Sequence, residues 1–158
     1  MKPISYIVGD ATKPQTEGSK IIAHVCNDVG GWGKGFVLAL SKISREPELA
    51  YRQWYVEREI NDFALGKVQF VPFAPDTLVA NMIGQHKTRT ENGVPPIRYQ
   101  ATEEALSAVC QKALELQASV HLPRIGCGLA GGEWSKVEPL IKRQLSDKDV
   151  SVFVYDLA

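Results

Sequence analysis

The stretch HVCNDVGGWGKGF, from His24 to Phe36, decides the fold of this 158-residue chain. It follows the apolar run KIIAHV (20–25), which is typical of a buried strand, and it leads into FVLALSKI (36–43), which has helical spacing. A structural turn between a strand and a helix needs only one or two glycines. This turn has four, at Gly30, Gly31, Gly33 and Gly35, with the indole of Trp32 among them. The composition of the turn therefore indicates a binding role beyond chain reversal.

A second glycine-rich stretch, GCGLAGG (126–132), lies between the predicted strand VHLPRI (120–125) and the predicted helix EWSKVEPLIKRQL (133–145). Backbone N–H groups at such loops and at helix N-termini bind anions, and phosphate is the usual occupant. Two loops of this kind predict a diphosphate held from two sides. Neither loop has the GxxxxGK[ST] pattern, so we do not expect a magnesium-bound nucleoside triphosphate.

Strand and helix patterns alternate along the whole chain. Further strands are predicted at Ile4–Val8, KVQFVPF (67–73), TLVANMI (77–83) and SVFVYDL (151–157), and further helices at 47–58 and 102–116. We expect Thr102 to cap its helix, Pro139 to bend the last one, and 85–97 to be a loop. The alternation predicts an α/β fold, a three-layer α/β/α domain with a mixed, largely parallel central sheet. We expect residues 1–158 to form one domain, with ligands bound at the carboxyl ends of the strands.

The composition argues against several kinds of partner. Lysine and arginine total 18 and aspartate and glutamate total 18, so no basic surface for a long nucleic acid is expected. No apolar run is long enough for a membrane span. The three cysteines, Cys26, Cys110 and Cys127, have no metal-ligand spacing, so we expect reduced thiols, a cytoplasmic location and no metal or cofactor.

With these motifs in place, the sequence resembles the macro domains, which bind ADP-ribose. The similarity covers YIVGDAT (6–12), IIAHVCNDVGGWGKGF (21–36), LPRIGCGLAGGEW (122–134) and the terminal VFVYDL (152–157). The pattern H-x-C-N followed by WGxG resembles the yeast-type ADP-ribose 1″-phosphate phosphatase. The pattern PRIGCGL resembles the terminal ADP-ribose hydrolases more.

The resemblance implies a role for each matching residue. Asp10 would accept a hydrogen bond from the adenine amino group, beside the N–H of Ala11; the alternative is that Asp10 caps a turn. Asn27 would lie by the distal ribose, and Trp32 would wall that sugar, unless it is only an aromatic residue of a surface loop. The diphosphate would receive N–H groups from Gly33, Lys34, Gly35 and Phe36 on one side and from Gly126, Cys127, Gly128 and Leu129 on the other.

The catalytic residues are less clearly implied. The hydrolase group pairs a lysine with an aspartate, but ANMIGQH (80–86) has no lysine, Lys87 comes too late, and Ala130 follows IGCGL. The remaining candidates are His24, Asn27 and Asp28. His24 would orient Asn27 or a water molecule, or else is a core histidine. Asp28 would act as a general base, or else is a turn carboxylate.

Two further side chains, those of His86 and Cys127, have groups capable of chemistry. We expect His86 to be solvent-exposed, and Cys127 to be a small loop residue whose thiol pKa is lowered by the nearby helix start.

The favoured function is binding of ADP-ribose or a derivative, free or attached to a macromolecule, with hydrolysis at the distal ribose. ADP-ribose 1″-phosphate is the favoured substrate. The alternatives are a reader that binds without turnover and, less favoured, an RNA-binding module. We expect Trp32→Ala to weaken ADP-ribose binding with little loss of stability.

Overall fold

The computed structural model describes residues 1–157, which contain six strands, four α-helices and a short 3₁₀ helix at Ser146–Lys148. In chain order these elements are β1 (Ile4–Val8), β2 (Lys20–Asn27), α1 (Phe36–Ile43), α2 (Glu46–Val56), β3 (Val68–Ala74), β4 (Thr77–Gln85), α3 (Tyr99–Leu116), β5 (Ser119–Leu122), α4 (Trp134–Gln144) and β6 (Val152–Asp156). The predicted α/β class is confirmed.

The strands form one sheet in the order β1-β6-β5-β2-β4-β3. All neighbouring pairs are parallel except β3 and β4, which are antiparallel and joined by the short turn after Ala74. The predicted mixed, largely parallel sheet is therefore confirmed. Parallel pairing brings the carboxyl ends of neighbouring strands to the same edge of the sheet. Because β5, β2 and β4 are neighbours, the two glycine loops and the loop 86–98 leave the sheet side by side.

Two apolar cores lie on opposite faces of the sheet. Side chains alternate along β2, so Ile21 packs with α3 and α4 while Ile22 packs with α1 and α2. Both faces of β2 are covered, which explains why KIIAHV reads as a nearly continuous apolar run. The three-layer arrangement is confirmed.

The predicted start of the long helix is wrong. The helix α3 begins at Tyr99, so Thr102 lies inside it, fully buried, and donates its hydroxyl proton to the Arg98 carbonyl oxygen at 2.9 Å. Glu103 is consequently beyond the first turn and bonds Arg143 of α4. The helix α4 runs without a break through Pro139.

The cysteines form no disulfide in the described residues; Cys26 and Cys110 are buried and Cys127 is half-buried. None of the helices in residues 1–157 has the length and apolar content needed to span a bilayer.

Candidate functional site

A cavity of about 640 Å³ opens at the carboxyl ends of β5, β2 and β4. The loop after β2, the loop after β5 and the segment after β4 each supply one wall. The lining residues are His24, Val25, Cys26, Asn27, Gly31, Trp32, Gly33, Lys34, Gly35, Phe36, Val37, Gln85, Thr88, Arg89, Pro123, Arg124, Ile125, Gly126, Gly128, Leu129 and Ala130. The fold thus brings the two predicted glycine loops to a single cavity.

Glycines in these loops serve two different purposes. Gly30 is required by packing, because its φ is +77° and an added Cβ would lie 2.5 Å from Cδ2 of Tyr55. Gly33 and Gly128 are different: neither has a positive φ, and an added Cβ would meet no atom within 4 Å. Packing therefore does not require glycine at these two positions, and both leave open space at the cavity.

Backbone donors without partners line both sides of the cavity. In residues 1–157, the N–H groups of Gly33, Lys34, Gly128 and Leu129 donate to no protein acceptor. At the start of α1 the N–H groups of Phe36 and Val37 have no intrahelical partner either, and the helix dipole adds positive potential there. The N–H of Leu38 donates to the Gly35 carbonyl oxygen at 3.1 Å. A group of free donors around one cavity is the arrangement that binds a phosphate or diphosphate.

Three cationic side chains line the same cavity, Lys34, Arg89 and Arg124. Arg124 is held in place by Asp156, with Nε 2.6 Å from Oδ1 and Nη2 3.0 Å from Oδ2. Neither Arg89 nor Arg124 was predicted from the sequence as a site residue. Arg124 falls within the predicted strand 120–125 and Arg89 within the predicted loop 85–97, so only the strand order shows that both lie at this cavity.

Asn27 lines the cavity, yet its amide mainly shapes the loop that follows. Its Oδ1 accepts the N–H groups of Val29 and Gly31, both at 3.0 Å, and its Nδ2 donates to the Gly31 carbonyl oxygen at 3.0 Å. The Tyr51 hydroxyl contacts Asn27 as well, 2.6 Å from its carbonyl oxygen. One Nδ2 hydrogen remains for a ligand, so a contact with ribose stays a prediction.

Trp32 lines the cavity but belongs to the core. It is 3% exposed, its ring centroid lies 5.4 Å from those of His24 and Tyr51, and its Nε1 donates to Ser41 Oγ at 2.8 Å. The surface-loop alternative is therefore wrong. The burial of Trp32 also argues against the expectation that Trp32→Ala costs little stability, because the substitution would leave a cavity of the size of an indole.

His24 also lines the cavity and is 2% exposed. Burial lowers the pKa of His24 to about 4, although a hydrogen bond to Asn81 acts in the opposite direction. The imidazole is consequently neutral at pH 7. It can accept or donate a hydrogen bond there but does not act as a cation.

Asp28 lies outside the set of cavity-lining residues. Its Oδ2 is 2.7 Å from Nδ1 of His86, and its Oδ1 accepts the Lys87 backbone N–H at 2.7 Å. The His86 side chain is 39% exposed, so the expected exposure holds only in part. A role for Asp28 as a general base stays a prediction. In the structure, its carboxylate joins the loop after β2 to the segment after β4.

Asp10 and Ala11 follow β1, three strands from β2 and roughly 14 Å across the sheet. The Oδ1 of Asp10 accepts the Thr12 backbone N–H at 2.9 Å and the Thr12 hydroxyl at 2.6 Å. The hydroxyl bond to Thr12 is the main reason that the pKa of Asp10 is lowered. Asp10 therefore caps a turn. A contact between Asp10 and adenine as well would require a ligand long enough to extend from the cavity to the end of β1.

Cys127 departs from the expectation for its thiol. Burial raises the pKa of Cys127, and α4 begins only at Trp134, so the expected lowering by a helix start is wrong. Its side chain is half-buried and it is not among the cavity-lining residues. Over the described part of the chain, no three His, Cys, Asp or Glu side chains are grouped as metal ligands.

Comparison with known proteins gives the relatives of this chain. A macrodomain protein from Streptomyces coelicolor is 57% identical, with a TM-score of 0.88, over 98% of this chain and 99% of that one. Mouse chromodomain-helicase-DNA-binding protein 1-like is 34% identical over 96% of this chain. The ADP-ribose 1″-phosphate phosphatase of Lodderomyces elongisporus is 25% identical, and the match covers 97% of this chain and 99% of that protein.

No protein-family model matches the chain. The chain spans only 17% of the mouse helicase protein and 15% of its zebrafish counterpart, so those matches concern one part of much longer proteins. The Streptomyces match, by contrast, covers 98% of this chain and 99% of that one, at 57% identity. The chain belongs to the macro domain family.

Proposed function

We propose that residues 1–158 act as one macro domain that binds ADP-ribose, with the diphosphate between the two glycine loops. The observation that carries this proposal is the set of free backbone N–H groups, on Gly33, Lys34, Gly128 and Leu129, around one cavity. A diphosphate offers acceptor oxygens to both loops at once. The cationic side chains at the cavity favour the same ligand by charge.

The rest of the ligand follows from the shape of the site. The distal ribose would lie toward His24, Asn27 and Trp32, where a neutral imidazole and one free amide hydrogen are available. The adenosine would extend across the ends of β6 and β1 toward Asp10 and Ala11. Among the N–H groups predicted to bind the diphosphate, that of Cys127 is an exception, because it donates to the Arg124 carbonyl oxygen at 3.3 Å.

Hydrolysis of ADP-ribose 1″-phosphate is a second candidate function. It is favoured by the fungal relative named for that activity, nearly all of whose length this chain covers. His24 and Asp28 would be the groups that orient or activate water. However, no carboxylate is among the cavity-lining residues, so the geometry supports binding more strongly than turnover. A reader of ADP-ribosylated macromolecules would use the same cavity.

Titration calorimetry with ADP-ribose tests the proposal, with AMP as the matched ligand that lacks the diphosphate and the distal ribose. We expect one-to-one binding of ADP-ribose and much weaker binding of AMP. Adding ADP-ribose 1″-phosphate and following the sample by phosphorus NMR then separates the phosphatase from the reader. No heat with ADP-ribose would contradict the proposed function.

The RNA-binding alternative makes a different prediction. An RNA held by its backbone would lose affinity steeply as salt is raised, because counterions are released on binding. The chain has no net charge, so we expect no RNA binding at physiological salt. A gel-shift series over salt concentration with a single-stranded RNA measures this directly.

A further inference from the structure

Three polar side chains form a line through the sheet from α2 to the cavity. Gln69 of β3, Asn81 of β4 and His24 of β2 are directly paired across neighbouring strands. Asn81 is fully buried and His24 is 2% exposed. Buried polar groups of this kind must be matched donor to acceptor, so the line has a defined hydrogen-bond direction.

The backbone of α2 sets that direction. The carbonyl oxygen of Pro47 can only accept, and it lies 3.1 Å from one amide terminus of Asn81, which must therefore be Nδ2. The same reasoning orients Gln69, whose Nε2 donates to the Ala50 carbonyl oxygen at 3.0 Å and whose Oε1 accepts from Asn81 at 3.1 Å. Both amides are thus held in one orientation.

The orientation of the Asn81 amide determines which nitrogen of the His24 imidazole carries the proton. With Nδ2 facing Pro47, the Oδ1 of Asn81 lies 2.6 Å from Nε2 of His24, and an amide oxygen can only accept. Nε2 must carry the proton. Because the ring is neutral, Nδ1 is then unprotonated. Its one hydrogen-bonding partner in residues 1–157 is the weakly polar Cys26 Sγ, 3.9 Å from Nδ1 and 3.7 Å from Nε2. The rings of Trp32 and Phe36 pack against the imidazole and hold its plane.

We infer that Asn81 is a positioning residue that fixes His24 as the Nε2–H tautomer, so that Nδ1 accepts a hydrogen bond from a hydroxyl group of the distal ribose. This inference rests on the proposed function for the identity of the ligand. The tautomer itself does not depend on any ligand. Asn81 does not line the cavity, so it acts on the ligand only through His24. Gln69 does not line the cavity either, and Pro47 orients Asn81 without it.

Imidazole nitrogen NMR on the ¹⁵N-labelled protein tests the tautomer. In the wild-type protein at neutral pH we expect the shift of an unprotonated nitrogen at Nδ1 of His24 and of a protonated one at Nε2. Asn81→Leu removes the acceptor and should give a mixture of tautomers. Gln69→Met is the control, because it removes a neighbouring amide while Pro47 still orients Asn81, so the tautomer should be unchanged.

Ligand titrations on the same variants test the hydroxyl contact. We expect Asn81→Leu to bind ADP-ribose about tenfold more weakly, as for one lost hydrogen bond, and Gln69→Met to bind it within about twofold of wild type. ADP, which lacks the distal ribose, should bind equally to all three proteins.

Two results would overturn the inference. A protonated Nδ1 in the wild-type protein contradicts the tautomer assignment, even if Asn81→Leu does not fold. Equal ADP-ribose affinity of wild type and Asn81→Leu contradicts the hydroxyl contact. If wild type binds no ADP-ribose at all, the proposed function fails together with that contact, whereas the NMR result still decides what Asn81 does.

Discussion

The carboxylate of Asp28 joins the loop after β2 to the segment after β4: its Oδ2 lies 2.7 Å from Nδ1 of His86. The second oxygen accepts the backbone N–H of Lys87, also at 2.7 Å. The next two residues, Thr88 and Arg89, line the cavity. Asp28 therefore influences the cavity through the position of this segment.

Asp28→Ala should loosen residues 86–89 and weaken the binding of ADP-ribose. Losing two hydrogen bonds, both accepted by the Asp28 carboxylate, predicts a loss of about 1–3 kcal/mol, a factor of roughly 5 to 150 in the dissociation constant. Calorimetry measures the affinity. Limited trypsin digestion at Lys87 and Arg89 measures the loosening of the segment.

A matched control is available in the same segment. Glu91→Gln breaks only the ion pair between Lys87 and Glu91, whose side chains are both about half exposed, so affinity and trypsin sensitivity should not change. If Asp28→Ala leaves both quantities at their wild-type values, the structural role given to Asp28 is wrong.

Valine at Gly33 or Gly128 should weaken ADP-ribose binding without unfolding the protein. An added Cβ meets no atom within 4 Å at either position, and neither has a positive φ, so we expect the free energy of unfolding to stay within about 0.5 kcal/mol of wild type. The added branch would occupy the cavity beside the free N–H groups, so ADP-ribose affinity should fall at least about tenfold.

Gly132→Ala should behave in the opposite way. Its Cβ would lie 2.4 Å from the carbonyl oxygen of Gly126, so the backbone of the second loop must shift and stability must fall. Chemical denaturation and calorimetry on the three variants check both trends. A stable Gly33→Val protein with full affinity would show that the ligand does not occupy this part of the cavity.

Trp32→Ala should lower the free energy of unfolding by about 3–5 kcal/mol, because it removes a buried indole that packs against His24 and Tyr51. Urea denaturation measures the loss. Leu38→Ala is the control, since Leu38 is 47% exposed on α1 and should cost less than about 1 kcal/mol. Similar small losses for both variants would contradict the burial of Trp32.

Two buried histidines predict how stability depends on pH. Burial lowers the pKa of His24 and of His121 from 6.5 to about 4, with the charge of Lys20 contributing at His121. Between these values the unfolded chain binds protons that the folded chain does not. The stabilising contribution is therefore fully present above pH 6.5 and is lost as the pH falls toward about 4.

The slope of this dependence can be measured. Each histidine contributes up to about 1.4 kcal/mol per pH unit within the window, so urea denaturation at about pH 5 and pH 7 should show a clear fall in stability at the lower value. His121→Gln should reduce the slope by about half. A free energy of unfolding that is constant between these two pH values would mean that neither histidine is buried in the neutral form.

Much of the site was predictable because it follows from the chain order of its elements. Strand, glycine loop and helix occur twice, at Asn27–Phe36 and at 122–134, and parallel pairing must bring such loops to one edge of a sheet. The sequence does not show that β5 and β2 are neighbours. That adjacency, set by the two cores, makes the two loops share one cavity.

The remaining features depend on contacts between distant residues. Trp32 is buried because Tyr51 of α2 packs against it, and the hydroxyl of the same tyrosine donates a hydrogen bond to the Asn27 carbonyl oxygen. The helix α3 starts at Tyr99 although Thr102 has the better capping side chain, because Thr102 bonds the Arg98 carbonyl oxygen and lies beneath Gly84 of β4. Local propensity contains none of this information.

The most direct test of the central claim is a titration of the ¹⁵N-labelled protein with ADP-ribose, followed through the backbone amide resonances. Binding of the diphosphate between the two loops predicts saturable shifts that are largest at Gly33, Lys34, Gly128 and Leu129. Absent shifts, or shifts confined to the opposite edge of the sheet around Ser119, where β5 begins, would contradict it.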